Sequence, residues 1–234
     1  MTVDEVFCNT FKAMRKRNEP IVQHKIDFMM PSMPMIQACR ANDFDFFSPL
    51  IDAGVLSIAQ TTSAAERYYL GKSKSGVPIF WMIDHMCQPQ DGHIGDGWVS
   101  QLLKQREPLL EYWPIRHCFF GEHLLTTDDK PVCIVESERT AVILSELLPD
   151  SIWLAYAYPT NMTPVLMAPL QGCTVTIYPY TDPCLSNFIF FQDFRNQVCS
   201  TYDIDLHIDT TLEDHATDAQ RSRCIDILDF ILES

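Results

Sequence analysis

In the second half of the chain, short apolar runs alternate with helical patterns. The apolar runs predict strands at residues 131–135, 152–155, 173–178 and 204–208. The first two runs are continuous, which is typical of strands buried on both faces of a sheet. Apolar residues at helical spacing predict helices at residues 138–148, 183–198 and 219–232. Because strands that alternate with helices form βαβ units, we predict an α/β fold with a parallel sheet flanked by helices.

The first half of the chain predicts a smaller α+β region. Residues 42–53 have the pattern of two short helices, and residues 61–69 predict a further helix. Residues 77–84 are rich in β-branched and aromatic side chains and predict a strand. The glycine-rich segment 91–97 predicts a hairpin turn, and it lacks the GK[ST] ending of a phosphate loop.

Residues 1–30 predict a basic amphipathic helix followed by an extended stretch, with Phe7, Phe11 and Met14 at helical spacing for docking on the body or on a partner. Residues 31–37 carry two prolines and predict a linker or the start of a helix. We therefore divide the chain into a helix and linker (1–40), an α+β subdomain (41–115) and the α/β domain (116–234).

The charge of the chain argues against broad binding of duplex DNA. The 234 residues carry a formal net charge of −14, and residues 201–234 hold nine acids against two arginines. A protein that grips duplex DNA over a wide surface usually presents a positive face. The net charge therefore does not support nucleic-acid binding, although a local contact stays possible. It fits a protein partner or oligomer, a small ligand carried by a metal, or a solubilising surface.

The apolar runs and the cysteines indicate the cellular compartment in which we expect the protein. No run is long enough to span a bilayer, and residues 1–17 do not have the pattern of a secretion signal. We expect a cytoplasmic protein without membrane contact. The nine cysteines are scattered, odd in number and free of CxxC pairs, so no zinc is expected and reduced, buried thiols are predicted.

Two acids follow predicted strands. Glu136 comes directly after the strand at 131–135, and Asp182 ends the segment YPYTD after the third strand. In an open α/β sheet ligands bind at the carboxyl ends of the strands, and converging carboxylates hold Mg²⁺. Glu138 is a candidate acid that would lie close to the metal ligands without binding the metal directly. Each residue also has a structural alternative: Glu136 and Glu138 suit a helix N-terminus, and Asp182 before Pro183 suits a helix N-cap.

Several segments resemble toprim domains of bacterial primases, topoisomerases and related nucleases. The resemblance is closer to toprim-like or primase-like proteins of bacterial mobile elements, and its segments are YYLGKSKSGVPIFWMID (68–84), CFFGEHLL (118–125), PVCIVESERTAVI (131–143), VTIYPYTD (175–182) and LEDHATDAQRSRCIDILDFIL (212–232). It implies a toprim-like domain preceded by part of a primase core. It also implies Mg²⁺-dependent phosphoryl transfer, with Glu136 as catalytic residue and metal ligand and Asp182 as a second metal ligand.

The chain departs from the family pattern at two places. The family has Tyr-Pro-Asp-x-Asp after the third strand, whereas Tyr180 stands here at the first aspartate. The turn after the second strand reads AYAYPTN, without the family's paired glycines but with Asn161 kept. Tyr180 and Asn161 are thus predicted to face the ligand. Since tyrosine is neutral at pH 7 and a poor Mg²⁺ ligand, we expect weak metal binding.

Two functions follow as expectations. The first is a divergent toprim-like protein of a mobile element, associated with DNA replication or processing and weak or inactive as an enzyme. The alternative is an acidic protein-binding module that uses the same scaffold. The resemblance supports the first function, and the net charge supports the second.

Overall fold

The computed structural model describes residues 31–106, 116–125 and 130–234. The chain divides into two compact units, Met1–Cys118 and Phe119–Ser234. The helix and extended stretch predicted within residues 1–30, with Phe7, Phe11 and Met14, lie outside the described residues. The α/β prediction is confirmed, with a parallel sheet flanked by helices in one unit and an antiparallel sheet in the other.

The N-terminal unit is built on a four-stranded antiparallel sheet with the order β1-β2-β3-β4. Its elements are α1 (Met33–Cys39), a 3-10 turn (Asp45–Phe47), α2 (Ser48–Asp52), α3 (Ile58–Arg67), β1 (Gly71–Lys72), β2 (Pro78–Ile83), β3 (Pro89–Ile94), β4 (Gly97–Trp98) and α4 (Val99–Arg106). Residues 31–37, for which the sequence allowed either a linker or the start of a helix, thus contain the beginning of α1. Helix α3 begins three residues before the prediction, because Ser57 and Gln60 form a capping box there.

Trp81 forms the centre of this unit's core and is fully buried. Gly92 pairs with it across β2 and β3, and a Cβ at Gly92 would lie 2.8 Å from its ring. A Cβ at Gly71 would lie 2.8 Å from its Nε1 atom. The two glycines therefore leave the space that the indole fills, and Ile36 of α1 belongs to the same cluster.

The C-terminal unit is built on a four-stranded parallel sheet with the order β6-β5-β7-β8. Its elements are a 3-10 turn (Glu122–Leu124), β5 (Val132–Val135), α5 (Glu138–Leu147), β6 (Ile152–Ala155), 3-10 turns (Pro159–Asn161 and Pro164–Leu170), β7 (Thr174–Ile177), α6 (Ser186–Cys199), β8 (Asp205–Ile208), α7 (Thr211–His215), α8 (Asp218–Ser222) and α9 (Ile227–Glu233). Strands β5 and β7, which precede Glu136 and Asp182, are neighbours in this sheet.

The parallel sheet buries side chains on both faces. Alternate residues of its strands, such as Ile134 and Leu154, share one core cluster with Phe191 and Phe194 of α6. The intervening residues point the other way, where Trp153 contacts the ring of Tyr178 at 5.5 Å between centroids. Helix α5 contacts β5 and β6. Two buried faces explain the continuous apolar runs in the sequence.

On both outer strands of the parallel sheet, other residues of the unit hydrogen-bond to part of the outward edge. Phe120 exchanges two backbone hydrogen bonds with Ala155 of β6, at 2.8 and 3.1 Å. On β8, Asp205 donates its backbone N–H towards β7, so the carbonyl of Leu206 faces outwards. Arg195 donates its Nε–H to that carbonyl at 2.6 Å. His207 pairs with Asp205 on the same strand at 3.0 Å.

The prediction of one helix over residues 219–232 is wrong. The chain forms α8 and α9 instead, and Cys224 between them has a φ of +53°. Asp226 caps α9, since its carboxylate accepts the backbone N–H of Asp229 at 3.0 Å. The backbone N–H of Thr181 donates to the carbonyl of Ile225 at 3.0 Å. The interruption brings Asp226 next to the end of the sheet.

No disulfide joins the cysteines in the described parts of the chain, and only some of them match the prediction of buried thiols. Cys39 and Cys133 are buried, and Cys118 and Cys173 are partly buried. The exposed ones are Cys87, Cys184, Cys199 and Cys224. Among the helices of the described residues, none has the length and apolar character needed to cross a membrane.

Candidate functional site at the end of the parallel sheet

Glu136 lies directly after β5, at the carboxyl end of the sheet, before Ser137 caps helix α5. Burial, and after it the charges of Asp226 and Glu138 in that order, together raise the pKa of Glu136 to about 7. At neutral pH this carboxyl is therefore divided between its protonated and ionised forms. A carboxyl so perturbed at a strand end is a candidate functional group.

Asp226 and Glu138 are the acids whose charges reach Glu136. Asp226 comes from the start of α9, and it accepts a short hydrogen bond from the hydroxyl of Thr140 in α5. Glu138 is buried in the first turn of α5. Glu138 thus lies near Glu136, and its role in support of a metal ligand stays a prediction. It adds Asp226, which the sequence analysis missed because it treated residues 219–232 as one helix.

Two tyrosines stand beside these acids. Tyr156 follows β6 and is 2% exposed, and the side chain of Asn187 lies next to its hydroxyl. Burial raises the pKa of Tyr156, and the neighbouring Glu136 and Tyr180 raise it further. Burial and then the charge of Glu136 also raise the pKa of Tyr180. Tyr180 therefore lies near Glu136, where the resemblance expects an aspartate.

Asp182 lies in the turn before α6, whose N-cap residue is Leu185 rather than Asp182. Its two carboxylate oxygens accept the backbone N–H groups of Cys184 at 2.8 Å and Asn187 at 2.9 Å. Burial raises the pKa of Asp182, but the backbone hydrogen bonds outweigh burial and lower it overall. The charges that raise the pKa of Glu136 belong to Asp226 and Glu138 instead. The metal role of Asp182 stays a prediction.

The turn after β6 is held by Asn161, whose side-chain amide donates to the carbonyl of Tyr156 at 2.9 Å. Within this turn Ala157 has a φ of +63°, and its backbone N–H donates to the carbonyl of Glu136 at 3.0 Å. The left-handed region favours glycine, which the family carries in this turn. The chain therefore keeps a glycine-type backbone with an alanine.

Replacing Ala157 with glycine is expected to raise the free energy of unfolding by about 1 kcal/mol, because glycine adopts the left-handed conformation without steric cost. Chemical denaturation of the wild type and the variant measures the change. Ala216→Gly is the matched control, since Ala216 has a φ of −67° and glycine only adds backbone freedom there. Equal losses of stability in both variants would contradict the strain at Ala157.

The donor atoms of the site are oxygens, which Mg²⁺ prefers. Within residues 31–106, 116–125 and 130–234, no three His, Cys, Asp or Glu side chains are grouped so that they could hold a metal ion. The charges of Glu136 and Asp226 both act on Tyr156. The site thus offers the oxygen atoms that Mg²⁺ prefers, without a group of three such side chains that could hold the ion directly.

Comparison with known families gives one match within the chain. Residues 88–181 match a family described as a domain of unknown function (DUF6371). The match contains Glu136, Tyr156 and Tyr180 and ends one residue before Asp182, whereas Asp226 lies beyond it. No curated protein matches the chain.

Proposed function

We propose that residues 119–234 form a divergent toprim-like domain of a mobile-element protein, associated with DNA replication or processing and weak or inactive as an enzyme. The resemblance of the segments around Glu136 and Tyr180 to toprim proteins supports the link to DNA. The observation that carries the proposal is the partly buried Glu136 at the end of β5, beside Asp226 and Glu138.

In this proposal Glu136 holds Mg²⁺ together with Asp226 or Glu138. The bound ion would neutralise charge on phosphoryl oxygens. Glu136 competes poorly for a metal, because its pKa of about 7 leaves it half protonated at neutral pH. Asp182 is engaged by backbone N–H groups, and Tyr180 adds no charge. These features favour weak metal binding.

The charge of the domain also favours low activity on nucleic acid. Residues 119–234 carry eighteen acidic against five basic residues, so nearly all of the net charge of −14 belongs to them. Phosphate backbones are repelled by such a surface unless cations intervene. Contact with DNA would depend on a bound cation or on the less acidic part of the chain.

Calorimetric titration with Mg²⁺ and Mn²⁺ tests the proposal. We expect binding in the millimolar range, on the order of −4 kcal/mol, which Glu136→Gln abolishes. Asp150→Asn is the control, because it removes the same charge from an exposed position. Tight stoichiometric binding by the wild type, or metal-dependent turnover of single-stranded DNA, would overturn the claim of a weakened site.

A second candidate, an acidic protein-binding module, is supported by the surface of helix α6. Ile189 is 55% exposed and Phe190 is 40% exposed, next to the exposed Leu185 that precedes the helix. Adjacent exposed apolar residues are typical of an interaction surface. Light scattering should then find a dimer that Ile189→Asp dissociates and Asn196→Asp does not. A monomeric wild type would count against this function.

A further inference from the structure

We propose that a pocket between residues 42–51 and the first turns of α3 binds a primary ammonium ion that carries an aromatic or branched apolar group. The pocket has a volume of about 370 Å³, which is within the range of small-molecule sites. It belongs to the N-terminal unit and lies outside the family match at residues 88–181. The inference therefore goes beyond the proposed function, which concerns residues 119–234.

Local hydrogen bonds fix the two walls of the pocket. One wall comes from the 3-10 turn and α2, and the other comes from the start of α3, where Ser57 and Gln60 form the capping box. Between the two helices, the backbone N–H groups of Val55 and Leu56 both donate to the carbonyl of Leu50, at 2.8 and 3.2 Å. The pocket is therefore formed before a ligand arrives, and binding requires little ordering of the chain.

The pocket has an apolar lining that a ligand can cover. Phe44 and Phe47 line it and are almost completely buried, so their rings form a fixed floor. Ile51 also lines the pocket, as does Ile58, which is 69% exposed. An aromatic or branched apolar group in the pocket would remove part of this surface from water, which favours binding.

The charged residues that line the pocket are both acidic, namely Asp43 and Asp45. Lys72 neutralises Asp43, because its Nζ atom lies 3.2 Å from the carboxylate, and this contact lowers the pKa of Asp43. The carboxylate of Asp45 thus supplies the charge that a ligand meets. It attracts a cation and repels an anion such as phosphate.

The position of Lys72 supports a cationic ligand. Its ammonium group lies 5.2 Å from the centroid of the Phe44 ring, within the range of a cation–π contact. The same group donates to the backbone carbonyl of Asp43 and pairs with the Asp43 carboxylate. The surroundings of Phe44 therefore already favour a positive charge. Because these contacts hold Lys72 at Asp43, Asp45 is left for a second cation.

The uncharged polar residues of the pocket favour a primary ammonium group over a quaternary one. Asn42, Ser48 and Thr62 line the pocket together with Asp45 and add an amide and two hydroxyl groups. Each of these side chains has an oxygen that can accept a hydrogen bond. A primary ammonium group has three N–H donors to offer, whereas a quaternary ammonium has none. The hydroxyl of Thr61, by contrast, already donates to the carbonyl of Ile58 at 2.9 Å.

Titration of the full chain with three probes of similar shape tests the inference. The probes are benzylamine, which is an ammonium ion at pH 7, neutral benzyl alcohol and anionic benzoate. NMR of the backbone amides should find shifts from benzylammonium within residues 42–62, with binding in the millimolar range. Benzyl alcohol should bind about 3- to 10-fold more weakly, because it lacks the charged contact with Asp45. Benzoate should bind more weakly still.

Asp45→Asn tests the residue that selects the cation, with Asp52→Asn as its matched control. Both variants remove one exposed carboxylate, but Asp52 at the end of α2 does not line the pocket. Asp45→Asn should weaken the binding of benzylammonium about 3- to 10-fold and leave the binding of benzyl alcohol unchanged. The unchanged alcohol binding also shows that the variant keeps its fold. Asp52→Asn should bind all three probes as the wild type does.

Three results would overturn the inference. The first is that benzylammonium does not bind at millimolar concentration, or that its shifts lie outside residues 42–62. The second is that benzyl alcohol or benzoate binds as well as benzylammonium. The third is an equal loss of binding in Asp45→Asn and Asp52→Asn, since a general attraction to the acidic chain would then explain the binding. None of these results depends on whether Glu136 binds Mg²⁺.

Discussion

Replacing Tyr180 with aspartate is expected to tighten Mg²⁺ binding about 10- to 100-fold, equivalent to about 1.4–2.8 kcal/mol. The substitution restores a carboxylate beside Glu136 at the end of β7, and each added carboxylate increases the attraction for a divalent cation. Without metal the same variant should lose stability, because a further negative charge joins Glu136, Asp226 and Glu138. Calorimetry and chemical denaturation, with and without Mg²⁺, measure the two effects.

Tyr180→Phe is the control for this variant, because it removes the hydroxyl without adding charge. We expect no tighter metal binding from it. If Tyr180→Asp binds Mg²⁺ no better than the wild type, position 180 does not face the cation. The departure from the family pattern would then be neutral for metal binding.

Replacing Glu136 with glutamine is expected to stabilise the metal-free protein above pH 7 and to change little below about pH 4. The folded pKa of about 7 lies above the ordinary value of 4.5, so folding favours the protonated form. The wild type therefore loses stability as the pH rises from 4.5 through 7, and glutamine cannot ionise. The gain should reach about 1–2 kcal/mol, discounted for the partial exposure of the group.

Chemical denaturation of both proteins at about pH 4 and pH 8 measures this difference, and only the change between the two pH values is diagnostic. Asp150→Asn should give no such change, because Asp150 is exposed. A loss of stability of Glu136→Gln at the higher pH would mean that the ionised glutamate has a favourable partner. Added Mg²⁺ should reduce the advantage of the variant, because it stabilises only the wild type.

The strands of the parallel sheet could be predicted because their signal is local. Residues 132–135 and 152–155 are buried on both faces, and their apolar runs record this directly. The interruption between α8 and α9 has its cause elsewhere in the chain. Thr181 binds the backbone of Ile225, and Thr140 binds Asp226 from 86 residues away. No pattern within residues 219–232 contains those partners.

As with the strands, the residues of the candidate site could be predicted only where their signal is local. Glu136 could be found because it follows an apolar run, and its position at the strand end is a local property. Tyr156 could not, because its ring is an ordinary member of the core and its neighbours Glu136 and Tyr180 follow other strands. For Asp182 the sequence allowed two alternative roles, that of a metal ligand and that of a helix cap. Its two backbone hydrogen bonds hold the turn before α6, where Leu185 and not Asp182 is the N-cap residue.

The contacts of Phe120 with β6 and of Arg195 with β8 limit how another copy of this protein could add a strand to the sheet. An exposed strand edge offers backbone groups on which a foreign strand can continue the sheet. Phe120 occupies such groups at Ala155, and the guanidinium of Arg195 occupies the outward carbonyl of Leu206. Fibril-like growth through these strands therefore requires Phe120 or Arg195 to detach from the sheet edge first. Proteolytic cleavage near residue 120, or loss of the Arg195 side chain, would expose an edge of the sheet, on which strands of other copies could then aggregate.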